Sequence, residues 1–433
     1  MVEVKEFFNA KSFAVVGASR DEKKVGHAVF KNMLESGKQI FPVNNKAEEI
    51  LEQKCYKDLL EIPYNVDCVV IAIPAKFIPI TLRHAEKKKA KCVVILSAGF
   101  SEIGNNDLEK QILKVAHETK IKILGPNSYG FIDPHQKLST SYFSGIPKKG
   151  HTAFISQSGA IGSAILDSGK KLSGFVSVGN CSELDPSDFI EYYSRDEKTK
   201  VITLYLESLK KDRGLEFIKT CKKCKKPIVV LKSGKSSAGQ HAAASHTAAL
   251  ATETGVYDGI LKQAGCIQVD SIKQLFDVAK ILEKFGHLKK RAAIVTNAGG
   301  LGVLTADACE ENGIEIKELT PTILEKLNKV LPENWSHNNP IDLIGNALAK
   351  DYENALSIIE KGPFDFIIVL LTPQKMTEAV DTAKLLLRIE KPVVACFLGG
   401  HQVLVAKKFM KKFGALNFQD PKEMCEALGK AIK

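Results

Sequence analysis

Short apolar runs rich in β-branched residues alternate with helix-length amphipathic segments from one end of this chain to the other. No other feature restricts the fold as strongly. The runs include 12-SFAVVG-17, 66-VDCVVIAIP-74, 92-CVVILSAG-99, 151-HTAFIS-156, 201-VITLYLE-207, 227-PIVVLKSG-234, 292-AAIVTN-297, 365-DFIIVLL-371 and 392-PVVACFLGG-400. Their hydrophobicity is continuous, which suits strands covered by helices on both faces. The pattern predicts an α/β chain of parallel sheets, with ligands at the carboxyl ends of the strands. At roughly 150 residues per domain, 433 residues predict about three domains. Segment 133–150 holds Pro, Gly and polar residues without periodicity and divides the first domain from the second. The short basic stretch 284–291 precedes a new strand, so a third domain is expected to open near residue 290.

The charge is positive but scattered. Lys plus Arg number 61 against 50 Asp plus Glu, a formal net charge of +11. The lysine pairs and triplets fall mostly at predicted helix ends, without aromatic interleaving or a nucleic-acid motif. They read as a solvated surface with a general pull on anions, not as a nucleic-acid interface. With 44% hydrophobic and 26% charged residues, a disordered chain and a fibrous repeat are excluded. The longest apolar runs, such as 366-FIIVLL-371, are strand-length, far short of the roughly 18 residues that cross a bilayer. The N-terminus MVEVKEFFNAK carries acidic residues and has no signal core, so a cytoplasmic protein is expected. The 10 cysteines read as reduced thiols. The pair Cys221 and Cys224 lacks the further ligands of a zinc site, and no metal is expected on this chain.

The first strand ends in 16-VGASRDEKKVG-26 ahead of a helix, a Rossmann-like turn without full GxGxxG spacing. The second strand, 39-QIFPV-43, leads into Asn44, Asn45 and Lys46. An NAD site normally has Asp or Glu there, whereas Lys46 favours a phosphorylated ribose, which both NADP and coenzyme A carry. Ile73-Pro74 and Ser97-Ala98-Gly99 end two further strands, where the nucleotide crevice should lie.

Two later segments match each other. Both 155-ISQSGAIG-162 and 295-VTNAGGLG-302 follow a strand, open a helix, and read hydroxyl, amide, small residue, Gly. Such a turn aims backbone N–H groups and a positive helix end at an anion. The candidate phosphate-binding residues are therefore Gln157, Ser158 and Gly159, and Asn297, Gly299 and Gly300. Between them, 233-SGKSSAGQHAAASHTAALAT-252 is mostly Gly, Ser and Ala with two histidines, and its Ser-Gly content before His241 predicts a loop.

The set GAS…PVN-x-K…IP…SAGF…GPNSYG resembles the CoA-binding domain of the succinyl-CoA synthetase superfamily. It is most similar to α subunits of the ADP-forming acyl-CoA synthetases, such as ADP-forming acetyl-CoA synthetase. The resemblance implies a Rossmann-like CoA-binding domain (1–135), then two flavodoxin-like parallel-sheet domains (146–288 and 290–433). It also implies that CoA lies on Gly17, Ser19 and Lys46, with Ile73, Pro74, Ser97 and Gly99 along the path to the thiol. Segment 242-AAASHTAAL-250 resembles the family's phosphohistidine loop and makes His246 the phosphoryl carrier, supported by Glu207; His241 is the runner-up, with a structural role the favoured reading for it. The two Gly turns would flank the phosphoryl group, Asn180 would lie near the acyl pocket, and 339-NPIDLIG-345 would shape the same region. Two departures stand out: Ser128 where relatives usually have Cys, and Ala248 where they usually have Gly.

The implied reaction is acyl-CoA + phosphate + ADP ⇌ acid + CoA + ATP, through an acyl phosphate and a phosphohistidine. It uses CoA, phosphate and ADP/ATP with Mg²⁺. No ATP-grasp module can be allotted to these residues, so a separate ATP-grasp β subunit is expected, in an α2β2 or similar assembly. Two rivals stay open: a CoA-binding sensor of the same fold, disfavoured by the presence of both His246 and Glu207, and an NADP oxidoreductase, disfavoured by the incomplete fingerprint.

Overall fold

The computed structural model describes residues 4–210, 213–239 and 254–433, and the chain falls into two compact units, Met1–Asp270 and Ser271–Lys433. The first unit begins with strands β1 (Ser12–Val16), β2 (Gln39–Val43), β3 (Glu49–Ile50), β4 (Gln53–Lys54), β5 (Cys68–Ile71), β6 (Cys92–Ile95) and β7 (Lys122–Leu124). β3 and β4 form a small antiparallel pair, and the other five make a parallel sheet in the order β2-β1-β5-β6-β7. Side chains alternate across a strand, so a sheet covered on both faces needs apolar residues at every position. Phe13 and Val15 of β1 enter one core while Ala14 and Val16 enter the other, and β5 and β6 divide the same way. The strand order reverses at β1, which has β2 on one side and β5 on the other. The loops leaving β1 and β5 diverge there and open a crevice.

The second sheet contains β8 (Phe131–Asp133), β9 (Leu138–Ser139), β10 (Lys149–Ser156), β11 (Leu172–Ser177), β12 (Val201–Leu206), β13 (Ile228–Lys232) and β14 (Ile267–Val269). Its order is β14-β13-β12-β10-β11-β8-β9, parallel from β10 to β14, with β8 and β9 added antiparallel at one edge. Part of the aperiodic stretch 133–150 is thus sheet, in strands too short to show a period of two. A single core cluster runs from the first sheet into the second. The N-terminal helix Lys5–Asn9 helps close it: Phe8 stacks on Tyr192 at 4.2 Å, and Phe7 and Phe8 both meet Phe131. Burying each such ring contributes about 2–3 kcal/mol. Hydrogen bonds from Asn32 Nδ2 to Ser141 O (2.8 Å) and Gln136 Nε2 to Phe8 O (3.0 Å) satisfy polar groups at this seam.

The second unit has one parallel sheet: β15 (Arg291–Thr296), β16 (Glu315–Ile316), β17 (Ile341–Asp342), β18 (Phe366–Leu371), β19 (Val393–Phe397) and β20 (Leu416–Phe418). The order is β16-β15-β18-β19-β20, with β17 also on β15. Helix Ile272–Phe285 belongs to this unit although it precedes residue 290; Lys273 pairs with Glu423 at 2.9 Å, and Lys284 Nζ donates to Gly414 O. All ten cysteines are free thiols. Contact with Cys266, together with burial, pushes the Cys221 thiol up, and the CxxC partner Cys224 adds a smaller push. Among the described residues no helix is long and apolar enough to cross a membrane.

Candidate functional site

A cleft of about 390 Å³ lies at the carboxyl ends of β1 and β2 and the loop after β5, with Gly17, Asn44, Ile73, Pro74, Phe77 and His84 among its lining residues. Gly17 has φ +94°, and a Cβ there would stand 2.4 Å from Ala72 O. Only glycine lets the turn pass this close to the neighbouring strand end. Gly26 serves the same purpose from the helix Val25–Leu34, since its Cβ would sit 1.8 Å from Gly17 O. The helix start is therefore seated on the turn, with its first N–H groups lacking partners within the helix. Asn44 braces both loops: Nδ2 donates to Ala18 O at 2.7 Å, and Oδ1 accepts from Lys46 N at 2.8 Å.

The predicted CoA residues fall around this crevice with different freedoms. Ser19 is buried and accepts from Asp21 N at 3.0 Å, which leaves its hydroxyl proton for another acceptor. Lys46 is exposed and follows the cleft-lining Asn44 and Asn45. Ser97 spends its proton on Ile73 O at 2.6 Å, so it fixes the loop after β5. Gly99, at φ +112°, turns its N–H toward the Glu102 carboxylate, which also accepts from Phe100 N at 3.1 Å. The sequence reading overlooked Lys57, Asp58, Phe77, Ile80 and His84 on the cleft wall. The spacing of Phe77, Ile80 and His84 along one helix face was the available signal.

Asn180 is held by side chains of the first sheet's loops. Its Nδ2 donates to Glu102 Oε2 (2.6 Å), Ser101 Oγ (3.2 Å) and Glu109 Oε2 (3.2 Å), and Oδ1 accepts from Asn127 at 3.3 Å. Burial alone would raise the Glu102 carboxyl, but donation from Asn180 and from the Gly99 and Phe100 amides outweighs it and holds the pKa below its ordinary value. Asn180 thus ties the loop after β11 to the loops of the first sheet.

At the end of β10 the Gln157 carboxamide grips the neighbouring strand end. Oε1 accepts from the Glu207 amide and from Ser208 N at 2.9 Å, while Nε2 donates to Ser208 O at 2.8 Å. Ser156 Oγ donates to Ser158 O (2.7 Å) and accepts from Ser158 N (3.2 Å); Ser158 Oγ caps the helix Gly159–Asp167 by accepting from Ile161 N. Gly159 packs on Tyr129, where a Cβ would already touch the ring at 3.4 Å. The outcome is a held turn with helix N-terminal donors beside Glu207. Cys181 lies next to Gln157 Nε2 at 3.4 Å, and burial pushes its thiol up to about 12, so it stays protonated.

The second unit repeats this construction. Asn297 Oδ1 accepts from Thr372 N at 2.9 Å, and Nδ2 donates to Thr372 O (2.9 Å) and Gln374 Oε1 (2.8 Å). Thr296 Oγ1 meets Ala298 N at 3.0 Å and Ala298 O at 3.2 Å, as Ser156 does with Ser158. Gly299 leaves room for the Asp342 carboxylate, whose Oδ2 would stand 2.7 Å from a Cβ there. His241 and His246 lie outside the described residues. Among the described residues no group of three or more His, Cys, Asp or Glu could hold a metal ion. A second cleft, about 410 Å³, lies along helices Pro321–Asn328 and Ala349–Ile359 and contains none of the predicted residues.

Three family models match in succession: a CoA binding domain over residues 11–134, a succinyl-CoA ligase like flavodoxin domain over 149–282 and a Ligase-CoA domain over 292–431. With the parallel-sheet fold they define a CoA-ligase protein of the succinyl-CoA ligase type. Over 439 residues the chain is 37% identical to the acetate–CoA ligase (ADP-forming) II subunit alpha of Pyrococcus furiosus, covering 97% of this chain and 95% of that one. It is also 37% identical to the acetate–CoA ligase (ADP-forming) of Methanocaldococcus jannaschii, spanning all of this chain but 63% of that longer protein. Among solved structures, the dinucleotide forming acetyl-coenzyme A synthetase 1 of Ca. Korarchaeum cryptofilum, in complex with phosphate and ADP, superposes with a TM-score of 0.95 at 31% identity, covering 100% of this chain and 96% of that one. The chain belongs to the family of ADP-forming acetate–CoA ligase α subunits.

Proposed function

We propose that this chain is the α subunit of an ADP-forming acyl-CoA synthetase, an acid–thiol ligase that interconverts acyl-CoA, phosphate and ADP with acid, CoA and ATP. Near full-length similarity to an α subunit of that activity carries the reading. The division into a CoA domain (1–135) and two flavodoxin-like domains (146–288 and 290–433) is part of it. The crevice fits the ADP portion of CoA: Gly17 permits close backbone approach, Ser19 has a proton to donate, and Lys46 supplies a cation for the ribose phosphate.

In this mechanism phosphate oxygen attacks the thioester carbon, the C–S bond breaks, and CoA leaves as acyl phosphate forms. The imidazole of His246 then attacks phosphorus, and the acyl carboxylate departs as the free acid. Glu207 accepts the imidazole N–H and fixes its tautomer. The helix start at Ser158 and Gly159, held by Gln157, offers preorganised donors to the transferring phosphoryl group. Asn297, Gly299 and Gly300 are read as a phosphate-binding turn of the second unit. ADP finally takes the phosphoryl group from His246. The partner is read as an ATP-grasp β subunit that holds nucleotide and Mg²⁺, in an α2β2 or similar cytoplasmic assembly.

Incubation of the full chain with acetyl-CoA and ³²P-labelled phosphate tests the proposal. Acid-labile, base-stable label is expected on the wild type and not on His246→Ala. Equal labelling of both, or of neither, overturns the reading.

A further inference from the structure

The cleft beside Gly17 shows large apolar side chains to solvent where a folded chain usually hides them. Phe77 is 47% and Ile80 53% exposed, and both line the cleft together with His84. The three stand three and four residues apart on the helix Ile78–Lys87 and the residue before it, so they share one face. Exposed aromatic and aliphatic groups inside a cleft fit a flat, weakly hydrated surface such as a heteroaromatic base.

Most polar side chains around that wall are committed. Thr81 Oγ1 donates to Phe77 O at 2.9 Å, and Asn44 is spent on Ala18 O and Lys46 N. Asp58 Oδ1 accepts from Leu60 N at 2.8 Å, capping the short turn Leu59–Glu61, and lies 3.2 Å from His84 Nδ1. The aspartate thereby holds a proton on Nδ1, which leaves Nε2 of the neutral ring as an acceptor. Among the described residues Nε2 has no hydrogen-bond partner, and the His84 side chain is 23% exposed. A partly shielded acceptor at the end of an apolar wall suits an N–H donor on the edge of a flat ring.

We infer that His84, fixed by Asp58, selects the base of the bound coenzyme: Nε2 accepts from the exocyclic amino group of adenine while Phe77 and Ile80 cover the ring. This rests on the reading of the crevice as a CoA site. The adenine is joined to the ribose whose phosphate is assigned to Lys46, and Asn44 and Asn45, which lead into Lys46, line this same cleft. Adenine offers a donor at that edge, whereas hypoxanthine carries a carbonyl oxygen there and would set two acceptors against each other.

Calorimetric titration of the full chain tests this with CoA, its hypoxanthine counterpart and phosphopantetheine, which has no base. Wild type is expected to bind CoA at least about tenfold more tightly than the hypoxanthine counterpart. His84→Leu should bind the two equally, and His84→Gln, whose carboxamide oxygen can accept, should regain the preference. Phe77→Ala should weaken CoA about tenfold and leave phosphopantetheine unchanged. Equal binding of the two bases by wild type, or a preference kept by His84→Leu, overturns the inference. An equal loss for phosphopantetheine in Phe77→Ala overturns it as well. Should His84→Leu not fold, as judged by thermal unfolding, His84→Ala carries the same comparison. Absence of CoA binding by wild type would instead overturn the reading of the crevice.

Discussion

Gln157 and Glu207 are joined through side chain and main chain: the Gln157 carboxamide accepts from the Glu207 and Ser208 amides and donates to the Ser208 carbonyl. The last turn of β10 is thereby locked to the end of β12. Asn297 holds Thr372 in the same manner in the second unit. The amide residue of each turn serves as a clamp, which leaves the backbone N–H groups of the helix start for an anion. Gln157→Ala is expected to cost about 1–3 kcal/mol of stability in urea unfolding, because half-buried backbone donors lose their acceptor. Phosphoenzyme formation should fall about 100-fold as the donor array loosens, with CoA affinity unchanged by calorimetric titration.

Gly17→Ala should affect CoA before anything else. The substitution meets both a positive φ and a carbonyl oxygen at 2.4 Å, so the turn after β1 must move. A loss of about 1–3 kcal/mol in stability and at least about a tenfold loss in CoA affinity are expected. Unchanged CoA binding in a folded Gly17→Ala protein would remove this turn from the CoA site.

Lys46→Ala separates ribose-phosphate recognition from general attraction of anions. Loss of one charge-assisted contact predicts roughly 10- to 100-fold weaker CoA binding. Dephospho-CoA, which lacks the ribose phosphate, should bind wild type and variant alike. An equal loss for both ligands would place Lys46 elsewhere on the nucleotide.

The Glu102–Asn180 link predicts a pH signature. The folded-state pKa of Glu102 is depressed below 4.5, so its contribution to stability is present above the unfolded value and is lost as pH falls through the folded one. Glu102→Gln should be less stable than wild type near neutrality. That gap should close on acidification below about pH 4.5. Thermal unfolding of both proteins between about pH 3 and 7 checks the sign.

Much of the fold was legible because its rule is local. A strand buried on both faces must be apolar at each position, and the nine runs read from the sequence coincide with β1, β5, β6, β10, β12, β13, β15, β18 and β19. β8 and β9 were not legible, since strands of two or three residues have no measurable period and are defined by a distant partner such as Val176. Helix Ile272–Phe285 falls in the segment 146–288 allotted to the second domain, and its place with the second unit depends on contacts such as Lys273 with Glu423.

The same boundary runs through the candidate site. The paired turns, Gly17 and the anion-seeking helix ends follow from residue type and spacing. The partners of Asn180 do not, because its amide is committed to Glu102 and Glu109, residues about seventy positions away. Lys232 was unremarked as one lysine closing an apolar run; only packing buries it, with its ammonium 4.4 Å from the centre of the Tyr257 ring. The sequence by itself determined the parallel α/β layers and where anions could be met, since those follow from periodicity and backbone geometry. Only the tertiary structure decided which polar side chains are free to act and which are clamps, because a hydrogen bond or a desolvated charge depends on neighbours that the chain brings together from afar.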